Sequence, residues 1–344
     1  GWEFYKDTRV LYGSVLIDCK LHHNPAPARM IWRPDKMICE YEVEGVRLRE
    51  EKFIGSNDAA ASIITSSEPV TLRFEGHSFF VRHSVSSTSE ILYEPKENSI
   101  LIIEGGTVRS RPDPNGSERT GPCVYQGMTT ALSSSKNFSK SVRFEKGEKG
   151  ESKYLFEIPC DSKGATISWA MHDAPAKAQQ AAREIITKDR KMLTGKTVEM
   201  NRQLNEEIPK FRCSDLKFEE IYYYLWSIYL MYYIEVGKGW EKENHTQTAI
   251  NNFLGIHRYD ACFQIKVGAW TKDKERFAYG NVLTWKHLVE NGKNRETTSG
   301  AIMLSDNKGT SWHSGAYGGE LAEHVLGAWQ IYEHSGDLGF LRKC

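Results

Sequence analysis

The sequence lacks an excess of charge of either sign. Its 344 residues contain 45 Lys and Arg against 45 Asp and Glu, so the formal net charge is zero. Proteins that bind nucleic acid or an anionic membrane through electrostatics usually carry an excess of Lys and Arg. The balance therefore argues against both kinds of partner.

Long apolar runs are also missing. The longest uncharged stretch is IYYYLWSIYLMYYI, residues 221–234. A membrane-spanning helix needs about 20 predominantly apolar residues. This stretch is shorter, so we predict a buried helix and no membrane span.

Cysteine is sparse and has no metal-site spacing. The seven cysteines are far apart, and none forms a Cys-x-x-Cys pair. Structural zinc sites usually show such pairs. We therefore expect neither a metal nor a cofactor. Free buried thiols, or disulfides with one cysteine left over, both fit the odd count.

Two common catalytic motifs are absent as well. No Gly-x-Ser-x-Gly occurs, so the sequence shows no nucleophile elbow of a serine hydrolase. The glycine-rich segment 306–320 is not followed by the Gly-Lys-Ser/Thr of a phosphate loop. We therefore look for chemistry of another kind.

The first half of the chain has the pattern of β-strands. Apolar and polar residues alternate in short runs, as in VTLRFEGHSFFVRHSV (residues 70–85), and clusters of Gly, Pro, Asn and Ser separate them. A period of two predicts half-buried strands. Because no helical segments lie between them, we predict an antiparallel β-sandwich over residues 1–172.

The pattern becomes helical in the second half. A polar helix after Pro175 predicts a linker over residues 173–213. Ser214 or Asp215 can cap the next helix, whose apolar residues surround it and predict burial on most sides. Further helices are predicted over 257–269, 274–290 and 320–334, the last ended by Gly336. We expect helical hairpins over 214–344 that further chain or a partner completes.

Functional side chains adjoin at the start of the second helix. The segment His257-Arg258-Tyr259-Asp260 is followed one turn later by Gln264. Helix N-termini attract polar ligands because their N–H groups lack partners. Asp260 could accept hydrogen bonds from sugar hydroxyls, Arg258 could donate them, and Tyr259 could stack on a ring. The alternative is that Asp260 caps its own helix and pairs with Arg258.

A second candidate segment is DNKGTSWHSGAYGGE, residues 306–320. We predict a glycine-rich loop that enters a helix and presents Trp312, His313, Tyr317 and Glu320. Aromatic and acidic residues on such loops are common in binding sites. A flexible connector is the alternative.

Paired carboxylates could support glycoside hydrolysis. One protonates the leaving oxygen, and the other activates water or attacks the sugar. Asp260 and Glu320 are the candidates that lie in these two segments.

Three Asn-x-Ser/Thr sequons begin at Asn115, Asn137 and Asn244. They predict a glycoprotein that is secreted or resides in the lumen of the secretory pathway. A cytoplasmic protein is the alternative.

Three short motifs carry a family resemblance. In GIHRYDACFQ, Tyr259-Asp260 match an aromatic-Asp pair that opens a helix. TSWHSGAYGGE is similar to a Pro-Trp-Glu-Ser loop followed by Thr-Gly-Glu-Glu, with Trp312, Ser314, Gly318 and Glu320 on matching positions. IYEHSGDLGFL resembles a Tyr-x-x-Thr-Gly-Asp pattern that includes Gly336 and Asp337. In this order the motifs resemble glycoside hydrolases and phosphorylases with an (α/α)6 barrel behind a β-sandwich.

The most similar group contains the maltose and trehalose phosphorylases and the glucosylgalactosyl-hydroxylysine glucosidase. Glucosidase and trehalase barrels are more distant. The resemblance implies an α+β protein in which a β-sandwich precedes an incomplete (α/α)6 barrel. It also implies a carbohydrate ligand, with Asp260 and Trp312 lining the subsite of the non-reducing sugar.

The resemblance implies inverting acid/base hydrolysis of α-linked glucosides. The general acid would come from sequence beyond Cys344 or from a second polypeptide. His313 and Gly319 stand where the family has carboxylates. This departure favours an alternative, a catalytically inactive scaffold with a binding or structural role. A sugar phosphorylase is a further alternative.

Overall fold

The structure is a computed structural model of the chain. It describes residues 11–57, 59–78, 84–109, 120–122, 127–138, 142–147, 150, 152–235, 243–247, 258–290, 301–305, 310–314 and 322–344. The chain divides into two compact units, and the division falls between Met200 and Asn201.

The first unit consists of antiparallel strands followed by helices. The period-two pattern of the sequence is visible in the burial of the strands; along Val46–Ile54, buried and exposed residues alternate through most of the strand. The strands are β1 (Tyr12–Ile17), β2 (Lys20–His22), β3 (Arg29–Trp32), β4 (Met37–Val43), β5 (Val46–Ile54), β6 (Ala60–Ser66), β7 (Val70–His77), β8 (Ser84–Ser87), β9 (Glu90–Glu94), β10 (Ser99–Ile103), β11 (Gly106–Arg109), β12 (Thr120–Pro122), β13 (Thr129–Ser134), β14 (Arg143–Lys146), β15 (Ser152–Cys160) and β16 (Ala165–His172).

Two large sheets of this unit share an apolar core. One has the order β14-β15-β7-β1-β2 and the other the order β3-β4-β5-β6-β16-β13-β10-β9; a smaller sheet has the order β12-β11-β8. Phe74 and Phe156 of the five-stranded sheet lie in the same buried cluster as Leu48 and Ile100 of the eight-stranded sheet. Each such side chain contributes about 1.5–3 kcal/mol when fully buried. The prediction of antiparallel sheets is thus confirmed.

Two helices, α1 (Pro175–Thr187) and α2 (Asp189–Arg202), follow the strands. Ala178, Ala182 and Ile185 are buried in a cluster with residues of the eight-stranded sheet such as Phe53 and Ala170. The sequence pattern predicts a polar linker at these residues. The difference arises because a stripe of small residues at i and i+4 is enough to pack on a sheet, even in a polar helix.

Helices dominate the second unit. Asp215 caps α3 as predicted, because its Oδ1 accepts a hydrogen bond from the N–H of Lys217 at 2.9 Å. Gly336 has a φ of +67° and ends α6 as predicted. The elements are a π-helical turn (Gln203–Glu207), α3 (Leu216–Met231), β17 (Tyr233–Ile234), β18 (His245–Thr246), α4 (Arg258–Gly268), a second π-helical turn (Glu275–Tyr279), α5 (Gly280–Glu290), β19 (Ala301–Ser305), β20 (Thr310–Ser314), α6 (Ala322–Ser335) and α7 (Leu338–Lys343).

The prediction that α3 is buried on most sides is wrong. The helix buries one face, with Trp226, Tyr229 and Leu230 in a cluster that includes Phe277. The opposite face exposes large apolar side chains: Leu216, Phe218, Ile221, Tyr224, Leu225 and Met231. Composition shows that a helix is apolar, whereas burial also requires neighbours on each side.

The prediction of a loop over residues 306–320 is also corrected in part. Residues 310–314 form β20, which pairs with β19 so that Trp312 lies opposite Met303 and His313 opposite Ile302. The four residues DNKG separate the two strands in the sequence, which is a hairpin signal. The β-branched and aromatic residues on both sides favour strands.

Candidate functional site

The first predicted cluster lies at the start of α4. Arg258, Tyr259 and Asp260 form the first turn of this helix. Free backbone N–H groups and the positive end of the helix dipole favour anions and carboxylates there. The helix begins two residues before Asp260, so Asp260 is a residue of the first turn. His257 lies outside the described residues.

Gln264, one turn further on, is tied into the helical unit by its side chain. Its Nε2 donates to the carbonyl oxygen of Gln247 at 2.7 Å. Its Oε1 accepts from Nδ2 of Asn281 at 3.4 Å. The amide therefore links α4 to the segment that follows β18. Its part in substrate binding stays a prediction.

Asn281 of α5 holds the strand β18. Its Oδ1 accepts from the N–H of Thr246 at 3.0 Å, and its Nδ2 donates to the Thr246 carbonyl at 2.8 Å. Both residues are fully buried. A side-chain amide can take the place of the backbone groups of a neighbouring strand in this way, because it offers both N–H donors and an acceptor oxygen.

Tyr229 of α3 connects the same elements. Its hydroxyl lies 2.7 Å from the carbonyl oxygen of Phe277 and 3.2 Å from that of Gln264, so the two oxygens share its single O–H donor. Burial raises the pKa of this phenol above its ordinary value, so Tyr229 stays a neutral donor at physiological pH.

Two glycines allow this close packing. A Cβ on Gly268 would lie 2.3 Å from the carbonyl oxygen of Phe277, and one on Gly280 would lie 1.6 Å from that of Asn244. These distances leave no room for any side chain. Gln264 and Gly268, in the second half of α4, therefore belong to a closely packed frame of α3, α4, α5 and β18.

The third family-like motif has a structural role. Asp337 accepts from the N–H of Phe340 at 2.8 Å, which caps α7, and from the hydroxyl of Tyr279 at 2.9 Å. The hydrogen bonds from Phe340 and Tyr279 hold the pKa of Asp337 below its ordinary value. The Ser-Gly-Asp sequence thus ends one helix with Gly336 and begins the next with Asp337.

A polar cavity of about 440 Å³ lies beside Asp337 in this unit. Glu243, Asn244, Arg276 and Lys343 are among the residues that line it. The guanidinium of Arg276 lies 4.9 Å from the ring centre of Tyr233 and 5.0 Å from that of Phe277. Within the described residues, the lining of this cavity does not include Gln264.

The second predicted cluster is described only in part. Trp312 and His313 lie next to each other in β20. Tyr317 and Glu320 lie outside the described residues, and so do Gly318 and Gly319. The mechanism of a glycosidase depends on the distance between its two carboxylates. The structure does not describe that distance for Asp260 and Glu320, because Glu320 lies outside the described residues.

The three predicted glycosylation sites differ in their surroundings. Asn137 and Asn244 are exposed, whereas Asn115 lies outside the described residues. Within the third sequon, Thr246 is fully buried by its contacts with Asn281. Asn244 also lines the polar cavity.

Three absences hold for the described part of the chain. No group of three or more His, Cys, Asp and Glu side chains is arranged to hold a metal ion. The six cysteines in it are free thiols. None of its helices is both long enough and apolar enough to cross a membrane.

Asn281, Thr246 and Tyr229 organise this region, and none of them is predicted from the sequence pattern. The sequence contains one indication that Asn281 has a structural role. It lies between Ala278 and Val282 on the buried stripe of an apolar helix. A polar residue at such a position usually has hydrogen-bond partners. The identity of those partners requires the tertiary structure.

Comparison with known proteins gives a fold but no sequence family. The sequence matches no protein-family model and no curated protein. The structure is similar to that of a protein described as a kojibiose phosphorylase from the human microbiome, with a TM-score of 0.53 and 12% identity over 96% of this chain and 46% of the other. A bacterial glucoamylase complexed with acarbose gives a TM-score of 0.53 and 11% identity over 95% of this chain and 50% of the other.

The chain therefore spans about half the length of these two proteins. In the described residues of this chain, antiparallel sheets are followed by helices. The similarity extends over most of the chain, so the resemblance predicted from three short motifs is confirmed at the level of the fold. The chain has an α+β fold like that of this kojibiose phosphorylase and this glucoamylase.

Proposed function

We propose that this protein binds α-linked glucosides in its helical unit and hydrolyses them by an inverting acid/base mechanism. The observation that carries the proposal is the similarity over 96% and 95% of the chain to a kojibiose phosphorylase and to a glucoamylase bound to acarbose. In an inverting mechanism, an acid protonates the glycosidic oxygen while a base activates water on the opposite face. Two carboxyl groups about 6.5–9.5 Å apart perform these steps.

The proposed architecture is a β-sandwich over residues 1–172, a helical connection over 173–213, and the first part of an (α/α)6 barrel over 214–344. The exposed apolar faces of the helices support the last element. Phe263 and Trp270 near α4 and Val325 and Trp329 of α6 are exposed, as is one face of α3. Further helices from the same or a second polypeptide would cover these faces.

The proposed subsite is built on the first turn of α4. Asp260 accepts hydrogen bonds from sugar hydroxyls, Arg258 donates hydrogen bonds to them, and Tyr259 stacks on the sugar ring. His257 and Gln264 lie in the same segment. Trp312, His313, Tyr317 and Glu320 form the other side. Asp260 and Glu320 are the candidate carboxylates within the 344 residues, and the general acid is not assigned to any of them.

The closely packed frame supports this role because catalytic and binding groups must be held in fixed geometry. The hydrogen bonds of Gln264, Asn281 and Tyr229 fix α4 against α5 and β18. These hydrogen bonds hold α4 at Gln264, one turn after Asp260.

The experiment is a comparison of Asp260→Asn with the wild-type protein on kojibiose and maltose. We expect a loss of turnover of at least about 100-fold, because the variant keeps the shape but removes the charged acceptor. Glu220→Gln, an exposed carboxylate of the same unit, serves as the control. Wild-type binding and turnover by Asp260→Asn would exclude Asp260 from the site.

A sugar phosphorylase is the second candidate, favoured by the similarity to the kojibiose phosphorylase. Phosphate-dependent release of a sugar phosphate would identify it. Binding without turnover, in the presence or absence of phosphate, would favour the third candidate, an inactive scaffold. The residues His313 and Gly319 support that third reading.

We also propose that the protein is a glycoprotein of the secretory pathway, with a cytoplasmic location as the alternative. The exposure of Asn137 and Asn244 supports this proposal. Mass spectrometry of the native protein before and after enzymatic deglycosylation tests it. An unchanged mass would contradict it.

A further inference from the structure

A second cavity lies in the first unit, between the two large sheets. Its volume is about 530 Å³. Strands β1 and β7 form one wall, and β4, β5, β6 and β16 form the other. Cavities of about 300–1,000 Å³ are typical of small-molecule sites. This one is separate from the proposed glucoside site, because all its lining residues belong to the strand-rich unit.

The eight-stranded wall carries a carboxylate, Glu50, on the face that should be apolar. Its neighbour on the same strand face, Leu48, belongs to the apolar core. The Glu50 side chain is only 13% exposed. A charge taken out of water is costly unless partners compensate for it. Its presence on this face therefore calls for an explanation beyond packing.

Glu50 is held in place by two neighbours on adjacent strands, Tyr41 and Ser62, and by Lys52 on its own strand. The hydroxyl of Tyr41 donates to Oε2 at 2.7 Å, and the hydroxyl of Ser62 donates to Oε1. Nζ of Lys52 lies 3.2 Å from Oε2. Tyr41 lies opposite Leu48, and Ser62 lies opposite Lys52, so the strand register places both beside Glu50. The carboxylate is thus oriented before any ligand arrives.

Aromatic rings form part of the rest of the lining, and the cavity opens to solvent. Trp169 of β16 and Tyr41 are partly buried and pack against the core while lining the cavity. Gly13 on the opposite wall has no side chain, and a Cβ there would lie 3.4 Å from the ring of Phe74. Asn24 is exposed, and the Lys52 side chain is 42% exposed, so polar groups stand at the solvent side.

We propose that this cavity binds a neutral polyhydroxylated ring, such as the terminal sugar of an oligosaccharide. Glu50 and Lys52 would hydrogen-bond to its hydroxyls, and Trp169 and Tyr41 would pack on its apolar C–H face. A carboxylate has about four acceptor sites, and the three neighbours leave capacity for a ligand. Because Lys52 neutralises Glu50, a neutral ligand fits better than an ion of either sign.

This site is a binding site and involves no bond breaking. It does not depend on the proposed glucoside site, and the test separates the two. The full chain carrying Asp260→Asn is titrated with maltose, and binding is followed by calorimetry or by saturation-transfer NMR. We expect binding to persist in this variant, since Asp260 belongs to the other unit.

The variant Glu50→Gln in the same background should bind maltose at least about tenfold more weakly, because hydrogen bonds to charged groups are the stronger ones. Glu145→Gln, an exposed carboxylate on β14, should bind like its parent. Equal affinities of Glu50→Gln and Glu145→Gln would overturn the proposal. So would the absence of maltose binding at millimolar concentrations.

Lys52→Met provides a second variant if Glu50→Gln fails to fold. Lys52 stands at the mouth of the cavity, so this change leaves the core in place. A several-fold weaker binding of maltose is expected, and unchanged binding contradicts the proposal. Glucose 1-phosphate and glucosamine serve as charged probes; tighter binding of either than of glucose would rule out a site for neutral rings.

Discussion

Asn281 and Thr246 are joined by a pair of hydrogen bonds, 3.0 and 2.8 Å long, between the side-chain amide of the first and both backbone polar groups of the second. The pairing fixes the short strand β18 on helix α5, and the amide also reaches Gln264 of α4. One buried side chain therefore connects β18, α5 and α4.

Replacement of Asn281 by Ala should lower the free energy of unfolding of the helical unit by about 2–4 kcal/mol. The change leaves the buried N–H and C=O of Thr246 without partners, at about 1–3 kcal/mol each. Chemical denaturation and the hydrogen exchange of the Thr246 amide measure the effect. Asn201→Ala, at an exposed position, is the control. Retained protection of the Thr246 amide in Asn281→Ala would contradict the prediction.

Two glycine-to-alanine changes should have opposite effects. Gly280→Ala places a Cβ 1.6 Å from the backbone of Asn244, which forces the backbone apart and should cost at least about 3 kcal/mol. Gly195→Ala lies in α2 with nothing within 4 Å, so better helix propensity should stabilise the protein by about 0.5–1 kcal/mol. Thermal unfolding of both variants provides the comparison. Equal melting temperatures would disprove the close contact at Gly280.

The carboxylate of Glu51 should make the stability of the first unit depend on pH. Burial alone would raise its pKa, but the hydrogen bonds from Lys36 at 2.9 Å and Arg190 at 2.5 Å, together with their charges, hold the pKa below its ordinary value of 4.5. Because the folded pKa is the lower one, the stabilisation is complete above the unfolded pKa and is lost as the pH falls through the folded pKa.

Glu51→Gln should therefore cost about 2 kcal/mol at pH 7, and the difference from wild type should shrink below about pH 4. Urea denaturation between pH 3 and 7 measures both. Glu44→Gln removes an exposed ion pair with Lys20 and should change stability by less than about 0.5 kcal/mol at pH 7. A pH-independent cost of Glu51→Gln would show that the charge is not responsible.

Substitution of two leucines on α3 should have different effects on stability, because one lies on its buried face and the other on its exposed face. Leu230 is 8% exposed, and Leu230→Ala should cost about 2–4 kcal/mol. Leu225 is 58% exposed, and Leu225→Ala should cost less than about 0.5 kcal/mol. Thermal unfolding of the 344-residue chain measures both, and equal losses would contradict the exposure of Leu225.

The fold class followed from local patterns. The period of two along β5 and β7 predicts strands, because alternate side chains point to opposite faces of a sheet. Asp215 and Gly336 marked a helix start and a helix end, since both act through their own backbone neighbourhood. The three motifs that suggested a glycosidase-like fold were similarly local.

Other features depended on residues far apart in the chain. The stripe of Ala178, Ala182 and Ile185 packs on strands of one sheet that range from β16, directly before the helix, back to Phe53 of β5, more than 100 residues earlier. The cavity beside Glu50 likewise exists only because β1 and β7 face β5 and β6. A sequence pattern shows that Glu50 breaks the apolar alternation, but it cannot show the hollow that faces it.

The sequence by itself determined the strands, the helices and their ends, because hydrophobic period, capping and turn chemistry act over a few residues. The tertiary structure alone decided which apolar faces are covered, which glycines face backbone, and which amide holds Thr246. Burial and hydrogen bonding are properties of pairs of surfaces, and the partner of each surface is set by the whole chain.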